Sequence, residues 1–544
     1  MLKTENYPVT QAPGLSQLFL DYCAAAPAVR RFYPQLLTSQ VGSAGSMPVW
    51  QQRPSVPAHW QELVALLAEQ NSTPPAQRSL DALRQGAGIM VTGQQVGLFG
   101  GPLFTPFKAA TAVARARQAT AAGAPHVPIF WLATEDHDFP EIDHVVFPAR
   151  RELRKLQYKN APSAQRPVGG VVLDESIGPL LDEAWELLGT SDAMDALVAA
   201  YKPGRTFAQA FADFYCQAFA AQGLLVLDAG GRAFHKMGAP VLRAGLEQAD
   251  ELHVALLERD RQLAEAGYHA QVAVGTQSSL LFLIDEHSGA RVALKRIAPT
   301  AAEPHGLWQA GRQSYSTADL VGILEAQPER ISPSALLRPV FQDFLLSTSA
   351  IVGGPAEIAY FAQSAVLYER ILSRVTPSLP RFSATLIEPA IAELLQRHEL
   401  TLQRVIAEGR ADSLAKVLAA RAIPIEGKRL LAAAGNAMDR ELTPLLEWMQ
   451  TVDAGLGRSA QTSASKMRYQ MNRLRNLAAN FELQKEASLA RQAESINQSL
   501  FPNGALQERV HGAAFYLAKY GFELNECLVS EAEQSTSGHS AIWL

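Results

Sequence analysis

Short apolar segments that end in glycine or polar turns, alternating with helix-like stretches, constrain this chain more than any other feature. Gly88 to Thr92, Val127 to Ala133, Leu224 to Asp228 and Ser349 to Val352 have the length and composition of buried strands, and Phe107 to Ala122 reads as a helix between the first two. Strands joined in this way pack as a parallel sheet with both faces covered. The predicted fold class is therefore α/β. Its sheet is discontinuous in sequence, because Val272 to Ile284, the turn Asp285 to Gly289 and Ala290 to Leu294 read as an inserted hairpin.

Outside these strands the texture changes. Residues 1–85 mix proline, glutamine and helix-prone pieces such as Trp60 to Leu67, and read as a helical lead-in to a core over 86–388, with connecting segments inserted at roughly 150–220 and 232–330. From Pro389 onward strand formers are few. Met467, Met471, Leu474, Ala478 and Phe481 recur at four-three spacing, which predicts a helical coiled-coil arm over 389–500. A helix carrying Ile391, Leu395, Leu402 and Val405 is its expected partner, with a break at Ile423 to Gly427. Residues 501–544 read as a helix, Ala505 to Tyr520, that returns to the core, and then a polar, mobile tail from Glu531 to Ser540.

A chain of 544 residues with 48% hydrophobic and 19% charged residues has the balance of a folded, multidomain protein. Its apolar runs fall far short of the ~18 residues that span a bilayer, and its start lacks the basic and apolar regions of a signal peptide, so the cytoplasm is the expected compartment. A net charge of −5 argues against a chain built to coat nucleic acid, and the basic residues of the arm read as a solvated helix face. Cys23, Cys216 and Cys527 have neither metal nor disulfide spacing. The expected partner is a small molecule.

Three motifs carry candidate chemistry. In the first, Thr92 to Lys108, a strand runs through Gly93, Gln94, Gln95, Gly97, Gly100 and Gly101 into a helix bearing Thr105 and Lys108. Glycines let backbone N–H groups approach a ligand, a helix start favours phosphate or carboxylate, and Lys108 adds a point charge. The spacing fits neither a Walker A loop nor a dinucleotide fingerprint, and a tight packing turn with a solvated lysine is the other reading. The second motif, Glu135, Asp136, His137 and Asp138, follows a strand, where ligands of open α/β sheets bind. These groups could bind Mg²⁺, steer an amine or act as acid and base, although one or two must be structural, and Asp138 reads equally as a helix N-cap. His137 and His144 lack further partners at ligand spacing, so no zinc site is expected. The third motif repeats the strand, glycine turn, helix order in Gly353, Gly354 and Glu357, preceded by Arg338. Arg338 reads as a carboxylate or phosphate clamp, or as the partner of an acid such as Asp343.

The segments TGQQVGLFGGPLFTPFKAATA (Thr92 to Ala112), WLATEDHDFPEIDHV (Trp131 to Val145) and VGGPAEIAYFAQ (Val352 to Gln363) resemble the bacillithiol biosynthesis cysteine-adding enzymes, as do the chain length, the helical arm and Leu506 to Arg509. The departures are small, Ala356 where a glycine is expected and Phe361 where a tryptophan is common. The resemblance implies a Rossmann-like core similar to class I aminoacyl-tRNA synthetases, a coiled-coil arm, and a homodimer. It implies addition of cysteine to glucosaminyl malate through an amide bond, with ATP and Mg²⁺ as expected participants. By analogy with the synthetases, the glycine turn would hold phosphates, Lys108 would counter charge on the transferred group, and Asp136 or His137 would take the amine proton. Neither the HIGH nor the KMSKS motif occurs, so adenylate formation rests on fold analogy, with an acyl phosphate as its competitor. Two other functions fit the same features: an adenylating ligase for another acid and amine, and a non-catalytic nucleotide-binding scaffold.

Overall fold

The computed structural model describes residues 3–34, 54–149, 152–162, 164–297, 307–485, 487–535 and 538–544. At its centre lie five parallel strands, β1 (Gly88–Gln94), β2 (His126–Leu132), β3 (Leu225–Asp228), β4 (Ala350–Gly353) and β5 (Ser378–Pro380), in the order β5-β4-β1-β2-β3. Alternate side chains of β1 and β2 enter different cores. Ile89, Val91, Ile129 and Trp131 pack on one face of the sheet, while Phe130 and Leu132 join a second core and Met90 a small third one. Burial on both faces explains why these strands are continuously apolar. The strand β5, with sequence Ser-Leu-Pro, has no such signature and is an addition to the expected set.

Two helices fix the site. Helix α1 (Phe104–Ala121) leads from β1 to β2, and helix α2 (Pro355–Leu372) leads from β4 to β5. The residues of α1 pack with Phe130 and Leu132, whereas Ile358, Ala359 and Ala362 of α2 pack with Ile89 and Val91. The chain thus leaves adjacent strands β1 and β4 toward opposite faces, which opens a crevice at their carboxyl ends.

The inserted hairpin forms as expected. Ser278–Ile284 pairs antiparallel with Arg291–Ile297 within a separate five-stranded sheet.

Two expectations change. The lead-in carries a strand, Lys3–Pro8, and the supposedly mobile tail is ordered. Glu531 to Gln534 finish the helix Leu524–Gln534, and Gly538–Trp543 forms a strand lying between Lys3–Pro8 and Ala384–Ile387. Thr536 and Ser537 lie outside the described residues. Small polar residues suggested mobility, but His539 and Ser540 are buried by the pairing of both neighbours.

The arm is a hairpin of Ile425–Val452 and Ala454–Lys485, preceded by a break at Pro424. Its partner helix is therefore not the segment with Ile391 to Val405, which packs at the base against Ala487–Leu500. The residues of the expected seam, Met467, Leu474 and Phe481, are exposed. With Trp448, Val452 and Leu477 they leave the arm's surface apolar.

Candidate active site

A cleft of about 510 Å³ opens at the carboxyl ends of the central strands. One wall is mainly acidic, with Glu135, Asp136 and Glu141 beyond β2 and Arg291 beside them; the other is mainly basic, with Lys108, Arg338, Arg381 and Arg509 around the start of α2 and Glu357 among them. Gly93, Gln94, Gln95, His137, Gly354 and Glu357 also line it. The N-terminus of the 18-residue α2 faces it through Pro355 and Ala356, adding the positive end of a helix dipole to the basic wall.

Lys108 is buried where α1 begins. Its ammonium donates to Gly93 O at 2.7 Å and to Gln94 Oε1 at 3.0 Å, and forms an ion pair with Glu357. The same carboxylate oxygen, Glu357 Oε2, also accepts from Gly354 N at 2.7 Å, completing the N-cap of α2. Burial and the neighbouring Arg381 and Arg338 push the Lys108 pKa down against the pull of Glu357. An ammonium has three donors, and the protein engages all of them, so Lys108 is a clasp across the crevice rather than the solvated charge one reading allowed.

Asp136 is held as a carboxylate. Oδ2 accepts from Gln95 Nε2 at 2.7 Å, and Oδ1 from His137 N at 2.7 Å. Burial raises its pKa, but these bonds and the Arg291 charge outweigh it and leave the carboxyl below its ordinary value. Gln95 Nε2 also donates to Glu141 at 2.8 Å, so one amide spaces two carboxylates.

Arg291 comes from the inserted hairpin. It donates to Ser332 Oγ and Pro333 O, lies 3.7 Å over the Phe282 ring, and points Nη1 at His137 Nδ1, 3.2 Å away. Arginine only donates, so in this contact Nδ1 is the acceptor and the ring N–H is on Nε2. His137 thus lines the cleft with Nδ1 engaged by Arg291.

Glu135 Oε1 sits 3.0 Å from Nε2 of the fully buried His235, whose Nδ1 lies 3.0 Å from Ile331 O. The Glu135 contact is one of charge and proximity at Nε2, and the hydrogen-bonding distance at Nδ1 is to a backbone carbonyl. Burial lowers the His235 pKa, but Glu135 outweighs this and the net shift is upward.

The remaining expected residues fall in two groups. Arg338 lines the cleft and donates to Tyr360 Oη at 3.0 Å; its proposed partner Asp343 pairs with Arg374 instead. Gly97, Gly101, Thr105, Gly353 and Asp138 do not line it. The backbones of Gly97 and Gly101 touch, so that a Cβ on Gly97 would lie 2.9 Å from Gly101 Cα, and Gly100 and Gly101 have φ of +83° and +69°. The turn is pinned by Tyr201 Oη, 3.1 Å from Gly97 O, and by Tyr215 Oη, 2.8 Å from Gly100 O. Half of the glycine motif thus belongs to packing, and the phosphate-cradle reading is revised accordingly. Gly353 fits beneath Glu357 and Phe361. Asp138 stands at an N-cap position, but its side chain makes no capping bond.

Sequence reasoning missed Arg291, His235, Arg381 and Tyr360. Only Tyr360 had a local signal, standing one helical turn after Glu357. Among the described residues no cluster of His, Cys, Asp and Glu could hold a metal ion, and no helix is long and apolar enough to cross a membrane.

The comparisons with known proteins agree with this architecture. Residues 2–382 match the family model described as "Bacillithiol biosynthesis BshC, N-terminal Rossmann-like domain", and residues 384–544 its C-terminal coiled-coil domain. The chain is 39% identical over 527 residues to a protein of Koribacter versatilis named "Putative cysteine ligase BshC", covering 96% of this chain and 97% of that one. Relatives of the same name from Solibacter usitatus (34% identity, 88% of each chain) and Salinibacter ruber (30%, covering 98% and 97%) match along comparable lengths. A Rossmann-like domain with a charged cleft at its switch point, followed by a helical domain, and matched at both parts, places this chain in the bacillithiol biosynthesis BshC family.

Proposed function

We propose that this ligase catalyses the last step of bacillithiol synthesis in the cytoplasm, joining the carboxyl group of cysteine to the amine of glucosaminyl malate at the expense of ATP. The observation that carries the reading is the division of one cleft into an acidic and a basic wall. The substrates divide in the same way. Two amines, one reacting and one on cysteine, suit Glu135, Asp136 and Glu141, whereas the malyl carboxylates and nucleotide phosphates suit Arg338, Arg381 and Arg509 with the α2 N-terminus.

ATP supplies a leaving group on the cysteine carboxyl. The basic wall fits its phosphates. A magnesium ion arriving with them would find carboxylates across the cleft, but among the described residues no ready-made cage. The protein's own part is positioning and proton handling. His137 Nε2–H donates to an oxygen of the reacting carboxyl, held in place by Arg291, and Asp136, ionised at neutral pH, accepts the proton released by the attacking amine. Lys108 acts one step removed, fixing Gly93, Gln94 and the first turn of α2.

The arm also supports the homodimer. Trp448, Leu477 and Phe481, 58%, 57% and 64% exposed, make a surface that a second copy would cover. Light scattering on wild type and on a W448S/F481S variant checks this: the variant shifts toward monomer.

The test of the activity is mass spectrometry of purified protein with cysteine and glucosaminyl malate, with and without ATP. Bacillithiol is expected only with ATP. AMP as the second product assigns an acyl adenylate, and ADP an acyl phosphate. Equal product from serine would move the reading to a ligase of another acid, and no product from folded protein would remove it.

A further inference from the structure

The basic wall is built from two parts of the chain. Arg381 follows β5 in the Rossmann-like domain, and Glu508 belongs to a short helix, Gln507–Val510, of the C-terminal domain. The two side chains are 3% and 2% exposed and form an ion pair. Glu508 Oε2 also accepts from Ser383 Oγ at 2.9 Å and Ala384 N at 3.1 Å, so both of its oxygens are fixed. Its neighbour Gln507 is locked onto the strand Ala384–Ile387, accepting from Leu386 N at 2.8 Å and donating to Leu386 O at 2.9 Å. The carboxylate is therefore delivered to Arg381 by a rigid segment.

Arg381 is not saturated by this. Nη1 donates to Phe382 O at 2.8 Å and Nη2 bonds Glu508, but Nε is buried and has no partner. It sits 3.5 Å from where a Cβ of Gly354 would be, beside Glu357 and Lys108, and the residue lines the cleft. The guanidinium lies 5.3 Å from the Phe104 ring, which limits its tilt. A buried N–H left unpaired costs stability unless something binds there. Lys108 has no donor left, whereas Arg381 is a buried cation of this wall with capacity to spare.

We propose that Arg381 binds an oxyanion of the substrates in this cleft and that Glu508 is its positioning residue, so that the C-terminal domain completes the site. The ligand is a carboxylate or a phosphate, both of which offer a pair of oxygens to a guanidinium edge. The inference rests on the reading of the cleft as the ligase site, but its test does not need turnover.

Binding of L-malate and of ATP to the full-length protein is measured by calorimetry for wild type, R381Q, E508Q, E508D and R381Q/E508Q, with the melting temperature recorded for each. R381Q is expected to weaken one ligand at least tenfold and leave the other within twofold. Loss of malate identifies a carboxylate subsite, and loss of ATP a phosphate subsite. E508Q weakens that same ligand, and E508D recovers part of the loss. If E508Q does not fold, the double variant, which removes both charges, must match R381Q. Wild-type affinity for both ligands in R381Q, no binding of either by wild type, or equal weakening of both with a lowered melting temperature overturns the proposal. Wild-type affinity in E508Q beside a weakened R381Q overturns the role of Glu508. Protein that binds a ligand through Arg381 yet forms no bacillithiol would remove the proposed reaction and keep this inference.

Discussion

Lys108 of α1 and Glu357 of α2 form a buried ion pair across the point where strand order reverses, joining the helices that leave β1 and β4 toward opposite faces of the sheet. The crevice that defines the cleft is therefore bridged at its floor by the protein itself. Removing one partner of a buried pair costs roughly 3–5 kcal/mol, and without Lys108 the Glu357 carboxylate keeps only Gly354 N and the more distant charge of Arg338. Lys108→Ala is expected to lose about that much in urea denaturation, and the double variant K108M/E357Q clearly less. A K108A protein of wild-type stability and low activity would instead make Lys108 a catalytic group.

The glycine turn gives a second prediction. Gly100 has φ +83°, and a Cβ there would lie 2.7 Å from Phe214 Cε1. Gly100→Ala combines a left-handed backbone with overpacking and should cost about 2–4 kcal/mol. Gly93→Ala should cost far less, because its nearest neighbour, Trp131 O, is 3.7 Å from the added carbon. Thermal denaturation of the two variants decides whether the motif is packed as described: equal effects would contradict it.

These residues show what the sequence made legible and where legibility stopped. The strands β1 to β4 were readable because a sheet covered on both faces demands unbroken apolar runs; Glu135, Asp136 and Glu357 were readable because they stand within a few residues of strand ends, and Lys108 because it lies in the first turns of the helix after the glycine turn. Gly97 and Gly101 share the sequence signature of a ligand loop, yet the tyrosines that turn them inward, Tyr201 and Tyr215, lie about a hundred residues away. Arg291 and His235 act on His137 and Glu135 from elements distant in sequence, so no local pattern could mark them. The terminal strand was hidden for a related reason: Gly538–Trp543 is ordered by pairing with Lys3–Pro8, at the opposite end of the chain.

Gln95 provides a prediction about pH. Its amide donates to Asp136 and Glu141 together, and it is the strongest of the influences that hold the Asp136 carboxyl down against burial. Gln95→Leu removes it, so the Asp136 pKa rises and the carboxylate is lost at a higher pH. The acid limb of the kcat/KM profile for bacillithiol formation should then move up by about one pH unit, as loss of one hydrogen bond to a charged group implies. An unmoved acid limb would exclude Asp136 as the proton acceptor.

His511 ties the C-terminal domain to the start of α1, and its protonation should loosen that junction. Its backbone oxygen accepts from Leu103 N at 2.7 Å, while the fully buried ring sits 2.9 Å from both Tyr516 Oη and Gln498 O. The carbonyl only accepts, so Nε2 carries the proton and Nδ1 accepts from the tyrosine, which satisfies a neutral ring; a second proton on Nδ1 would make the tyrosine hydroxyl turn and accept. Burial pushes the pKa down to about 4. A base with a depressed folded pKa contributes stability above its unfolded pKa, near 6.5, and loses it as pH falls toward 4. The loss amounts to about 2–3 kcal/mol by pH 4.5. Wild type and H511Q, compared by urea denaturation at pH 7 and pH 4.5, should differ by that amount in how much stability each loses, with the variant less sensitive. Amide exchange at Leu103 should quicken over the same interval in wild type only. Equal acid sensitivity in the two proteins would show that this junction does not depend on a neutral His511.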